Sequence, residues 1–124
     1  MVLYLAADLL WASRIKATAA AVGVNARPVR SLEMLNARLA DAPAEDPVRG
    51  VFLDLQQPEE AMAMLARLRG PDAPQEARSI PVICWAPHVE TDLMAQAKAA
   101  GADRVLTRGA FDAQLEGLIA ALRQ

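Results

Sequence analysis

The chain has 124 residues, 54% hydrophobic and 23% charged, a composition that fits one packed globular domain and leaves no room for a catalytic domain joined to a regulatory one. Thirteen Lys and Arg against fifteen Asp and Glu give a net charge of −2, so the attraction that drives non-specific nucleic-acid binding is missing and nucleic acid is not an expected partner. A single cysteine, Cys84, and a single histidine, His88, exclude an internal disulfide and a Cys- or His-based metal centre and point to a reducing compartment.

The first run, Val2 to Ala7, is apolar on both faces, as expected of a parallel strand covered by helices on each side, and it meets Asp8 without any basic leader. From Leu10 to Val22, residues Trp11, Ile15, Ala19 and Val22 form a helical stripe that Gly23 closes. Ala26 to Arg30 is a weak strand whose Pro28 suits a sheet edge. Ser31 is placed as an N-cap ahead of Leu32, Leu35 and Leu39. Two prolines, a glycine and three acids mark Ala40 to Gly50 as a loop.

Val51 to Leu55 is the third predicted strand, and Pro58-Glu59-Glu60 opens a helix with Ala61, Met62, Leu65 and Leu68 on its buried side. A loop from Gly70 to Pro74 leads to a fourth strand, Ile80 to Trp85. A helix from Thr91 to Ala100, closed by Gly101, and a fifth strand, Arg104 to Thr107, follow. Asp112 then reads as the cap of a last helix with Leu115, Leu118, Ile119 and Leu122 on one face. No apolar run approaches the roughly 20 residues of a membrane span, so a cytoplasmic protein without a membrane partner is expected.

Five strands alternating with five helices make an α/β doubly wound parallel sheet, and the strand count favours a flavodoxin-like order, 2-1-3-4-5. Ligands and chemistry gather at the carboxyl ends of such strands. The residues expected there are Asp8, Asp54, Ala86 and Arg108.

Several of these segments resemble the receiver domain of bacterial response regulators, over essentially the whole chain. Asp54 in Val51-Phe-Leu-Asp-Leu-Gln-Gln-Pro58 is placed like the phospho-acceptor of that family. Ala99-Ala-Gly-Ala-Asp-Arg-Val-Leu-Thr-Arg108 is similar to the family's turn into its fifth strand, Ile80-Pro-Val-Ile83 to its fourth, and Asp8 falls on the second of its paired acids. The resemblance implies phosphoryl transfer from a histidine kinase to a carboxylate, with Mg²⁺ held by the acids and a carbonyl, here Asp8, Asp54 and Gln56. It also implies a cation and a hydroxyl that read the transferred group.

Four positions depart from that pattern. Ala7 stands where the first acid belongs, which weakens Mg²⁺ binding. Ala86 replaces the Ser or Thr, and Val105 replaces the aromatic partner of the switch. Arg108 replaces the lysine with a planar fork that can grip Asp54 bidentately. The resemblance with these departures implies a stand-alone, degenerate pseudo-receiver, not an enzyme, that works by protein contact.

Its expected contact surface spans the fourth predicted helix, the last strand and the last helix, about Thr91 to Gln124. A histidine kinase, a downstream signalling protein or a second copy of the chain are the partners it implies. Two other functions stay open at this point: a working receiver phosphorylated on Asp54, and a small-ligand-binding flavodoxin-like module, against which stands the lack of a Gly-rich or Ser/Thr-rich phosphate loop.

Each residue also has a plainer reading. Asp54 is either the acceptor or a structural acid paired with Arg108. Asp8 is either a residual Mg²⁺ ligand or a helix cap. Arg108 is either locked on Asp54 or solvated. Trp11 is either a partner-binding anchor or core. Trp85 and Cys84 read as core, the Met62 and Met64 pair as core filling, and His88 as a surface residue.

Overall fold

The computed structural model describes residues 1–123. Five parallel strands form one sheet in the order β2-β1-β3-β4-β5: β1 (Val2–Leu5), β2 (Ala26–Pro28), β3 (Gly50–Asp54), β4 (Val82–Ala86) and β5 (Arg104–Thr107). The helices among the described residues are α1 (Leu9–Ala21), α2 (Leu32–Asp41), α3 (Pro58–Arg69), α4 (Gln75–Arg78), α5 (Thr91–Ala99) and α6 (Arg108–Ala121). The flavodoxin-like architecture expected from the alternation is present.

The unbroken apolar runs explain the position of the sheet. Every residue of β1, β3 and β4 is buried, because helices cover both faces of these three inner strands. One face packs Leu3, Leu53 and Cys84 with Leu35, Met64, Leu65 and Leu68. The other packs Tyr4, Phe52 and Trp85 with Trp11, Ile15, Phe111, Leu115 and Ile119. Pro28 ends the short edge strand β2, where a missing N–H costs the sheet nothing.

The stops follow from backbone sterics and capping. Gly23 and Gly101 adopt φ +76° and +106°, a region that strains any other residue, and both sit just past a helix as expected. Ser31 accepts the Met34 N–H at 3.1 Å, which makes it the cap of α2.

The structure corrects the sequence reading in several places. A sixth helix, α4, lies beyond the loop at Gly70; its four residues bury only Ala77, too short a pattern for periodicity to reveal. The last helix begins at Arg108, capped by the Thr107 hydroxyl that accepts the Ala110 N–H at 3.2 Å. Asp112 lies inside it, exposed, in an ion pair with Arg14 of α1. Met64, not Met62, is fully buried on α3. Strand β1 stops at Leu5, while β3 and β4 sit one or two residues away from the expected ends, since an apolar run does not mark where hydrogen bonding stops.

Candidate functional site

The parallel winding brings the ends of β1, β3, β4 and β5 to one edge, and with them the residues singled out from the sequence. Asp54 is the last residue of β3 and only 2% exposed, the one buried charged side chain among the described residues. Its Oδ2 accepts the Ala7 backbone N–H at 2.9 Å, and its Oδ1 accepts that of Gln56 at 3.0 Å. The carboxylate therefore ties the loop after β1 to the loop after β3.

Burial pushes the Asp54 carboxyl above its ordinary value of 3.8. The Ala7 and Gln56 amides pull it back, the nearby Asp8 charge raises it further, and Arg108 lowers it least of all. Desolvation outweighs the amides because two neutral dipoles replace a full hydration shell.

Arg108 does not grip Asp54. The ion pairs among the described residues join the Met1 ammonium to Asp46, Arg14 to Asp112 and Arg69 to Asp103, and the Arg108 side chain is exposed at the start of α6. Its guanidinium acts on Asp54 only as a distant charge, so the expected bidentate pair is absent.

Asp8 takes its plainer role. Its Oδ1 accepts the Trp11 N–H at 2.9 Å and so caps α1. Ala86 is the last residue of β4 and fully buried, with no hydroxyl to offer the site. Val105 is half-buried on β5 and packs on the α2/α3 side of the core.

Among the described residues no three His, Cys, Asp or Glu side chains gather where they could share a metal ion. Asp54 and Asp8 already spend oxygens on backbone amides. With Ala7 in place of a carboxylate, Asp8, Asp54 and the Gln56 carbonyl are the donors of the expected set that this edge retains.

Two features, one of them at this edge, escaped the sequence reading. Exposed apolar side chains rim it: Leu9 at 85% and Leu10 at 76% at the start of α1, with Val89 in the loop after β4. Trp11, by contrast, is buried, 5.6 Å from Trp85 and 5.4 Å from Phe111, so it supports the rim instead of anchoring a partner.

The other feature lies at the opposite end of the sheet. Arg69 donates from Nη2 to the Ile80 carbonyl and to Asp103 Oδ2, each at 2.6 Å. Asp103 Oδ2 also accepts the Val82 N–H at 2.7 Å. The acid of the Gly-Ala-Asp turn is thus a fastener between α3, β4 and the turn into β5. Only the pairing with a distant arginine reveals it, and sequence spacing carries no such signal.

No family model matches the sequence, and no curated protein does. Solved structures do. The signal receiver domain of a signal transduction histidine kinase from Syntrophus aciditrophicus is similar over 98% of this chain and 87% of that one, with a TM-score of 0.77 and 20% identity. This chain has the receiver fold. A response regulator receiver domain from Bermanella marisrubri matches with a TM-score of 0.74 at 18% identity, over 98% of this chain and 95% of that one. The receiver domain of NtrX from Brucella abortus matches with 0.74 at 17%, over 98% and 97%. No helix among the described residues of this receiver fold is long and apolar enough to cross a membrane.

Proposed function

We propose that this chain is a signalling module of the two-component type that acts through protein contact without being phosphorylated. The observation that carries the reading is the state of Asp54: each of its oxygens already holds a backbone amide, one of them from Ala7. An attacking carboxylate needs a neutralising metal and a cation close by, and each amide it accepts draws charge away from the oxygen that would attack. Here the metal donors are incomplete, Arg108 stands apart, and Ala86 offers no hydroxyl to couple a phosphoryl group to the loop after β4.

The surface we assign to partners is α5, β5 and α6, from Thr91 onward; Gln124, the far end of the expected surface, lies outside the described residues. A histidine kinase, a downstream signalling protein or a second copy of the chain would dock there, in a reducing cytoplasm. Incubation with Mg²⁺ and acetyl phosphate, followed by intact mass measurement, tests the reading. No mass increase is expected, and Asp54→Asn should leave the oligomeric state in sedimentation unchanged. A phosphoryl adduct lost in Asp54→Asn would overturn it in favour of a working receiver.

A further inference from the structure

We infer that the cleft where the loops after β1, β2 and β3 meet is a binding site for a small monocarboxylate with a compact apolar body. This is the edge where the order β2-β1-β3 sends the chain outward in opposite directions, the place at which doubly wound sheets open a crevice. The inference is independent of phosphorylation and needs no metal.

The cleft measures about 280 Å³. An apolar cavity of about 150 Å³ holds benzene, so a ring bearing one carboxylate fits. Its walls include Ala12, Pro28 and Val29, which supply the apolar contact.

Tyr4 supplies the decisive polar group. The side chain is only 4% exposed and lines this cleft, yet its hydroxyl makes no hydrogen bond to any described residue and is not among the sealed polar atoms. The oxygen therefore opens into the cleft, where it can donate to a ligand. Buried hydroxyls in folded proteins find a partner in the great majority of cases.

Charge selects the ligand's sign. Asp8 caps the Trp11 N–H, but the Leu9 and Leu10 N–H groups at the positive end of the 13-residue helix α1 have no acceptor. Arg30, at the mouth of the cleft, has no ion-pair partner among the described residues. Against these stands the Asp8 carboxylate, also in the lining. The apolar walls reward a carboxylate that carries an apolar body and offer inorganic phosphate nothing to bury.

The test is an amide and Tyr4-ring NMR titration of the full chain with sodium benzoate, without Mg²⁺ and at constant ionic strength. The chain contains one tyrosine, so its ring signals are unambiguous. Saturable shifts at Leu9, Leu10 and Tyr4 are expected, with no matching saturation by inorganic phosphate. Tyr4→Phe, which deletes only the hydroxyl, should weaken binding about tenfold. Arg30→Gln, at an exposed position that leaves the core intact, should weaken it about threefold. Shifts that do not saturate, equal binding by both variants, or equal saturation by phosphate would each overturn the inference.

Discussion

The Ala7 backbone N–H donates to Asp54 Oδ2 at 2.9 Å, so residue 7, which brings no side-chain acid to this edge, holds the buried one with its main chain. A backbone amide serves a buried carboxylate as partial compensation for lost water, and it does so whatever the side chain of residue 7. Ala7→Asp would add a third carboxylate at this edge, beside Asp54 and Asp8. In the absence of divalent metal it should destabilise the fold by about 1 kcal/mol, and millimolar Mg²⁺ should recover that loss, whereas the parent chain should show no Mg²⁺-dependent change in Tm. A parent Tm that rises with Mg²⁺ would show that Asp8, Asp54 and the Gln56 carbonyl suffice to hold the ion.

Asp54 should titrate above 3.8 in the folded chain, because burial raises it. The native state then binds more protons than the unfolded state between 3.8 and the raised value. Stability from this group is fully present below 3.8 and is lost as pH rises through the folded-state value. The side-chain carboxyl ¹³C shift, followed from pH 3 to 8 at about 25 °C, should show a midpoint above the ordinary one. A midpoint below 3.8 would mean that the two amides win over desolvation.

Cys84 should be inert in the folded protein. It is buried in β4, and burial pushes its thiol up to about 12 from 9.0, with the Asp103 charge a smaller contribution. The stability linked to this proton is complete below pH 9 and disappears as pH rises from 9 towards 12. Thiol-reactive dye should label the native chain only at the rate of unfolding, and labelling faster than unfolding would contradict the burial.

Asp103→Ala should cost about 1 to 2 kcal/mol, since it leaves the Val82 N–H without this acceptor and the Arg69 guanidinium with only its backbone carbonyls, while the half-exposed acid keeps the ion-pair share small. Arg69→Met removes the charge together with its need for a partner. A double-mutant cycle in urea should therefore show a coupling of about 1 kcal/mol or more. Strict additivity would show that the two residues act separately.

The aromatic group over β3 and β4 gives a contrast between two variants. Trp85 stacks on Phe111 at 4.2 Å and 5°, and Phe111 also meets Phe52 edge-on at 5.7 Å. Phe111→Ala should cost about 3 to 5 kcal/mol. Trp85→Phe should cost less than about 2 kcal/mol, because the indole N–H is buried without a partner and the smaller ring removes that burden along with its contacts. Equal losses in chemical denaturation would show that the unpartnered N–H carries no penalty.

The amino-acid order by itself determined the strand and helix alternation, because periodicity is a local property: Val2 to Leu5 can be covered on both faces, and Ser31 and Gly23 cap and stop helices whatever lies elsewhere. It also placed Asp8, Asp54, Ala86 and Arg108 at one edge, since parallel winding sends every strand end there. The partners of those side chains were decided only in three dimensions. That Arg108 makes no ion pair with Asp54, and that the Ala7 N–H does hold it, depend on where the chain after β5 and after β1 runs relative to the end of β3. Likewise the Arg69–Asp103 fastener and the open Tyr4 hydroxyl join residues far apart along the chain. Hydrogen-bond geometry falls off within fractions of an ångström, a precision that residue spacing does not encode and that packing of the whole core supplies.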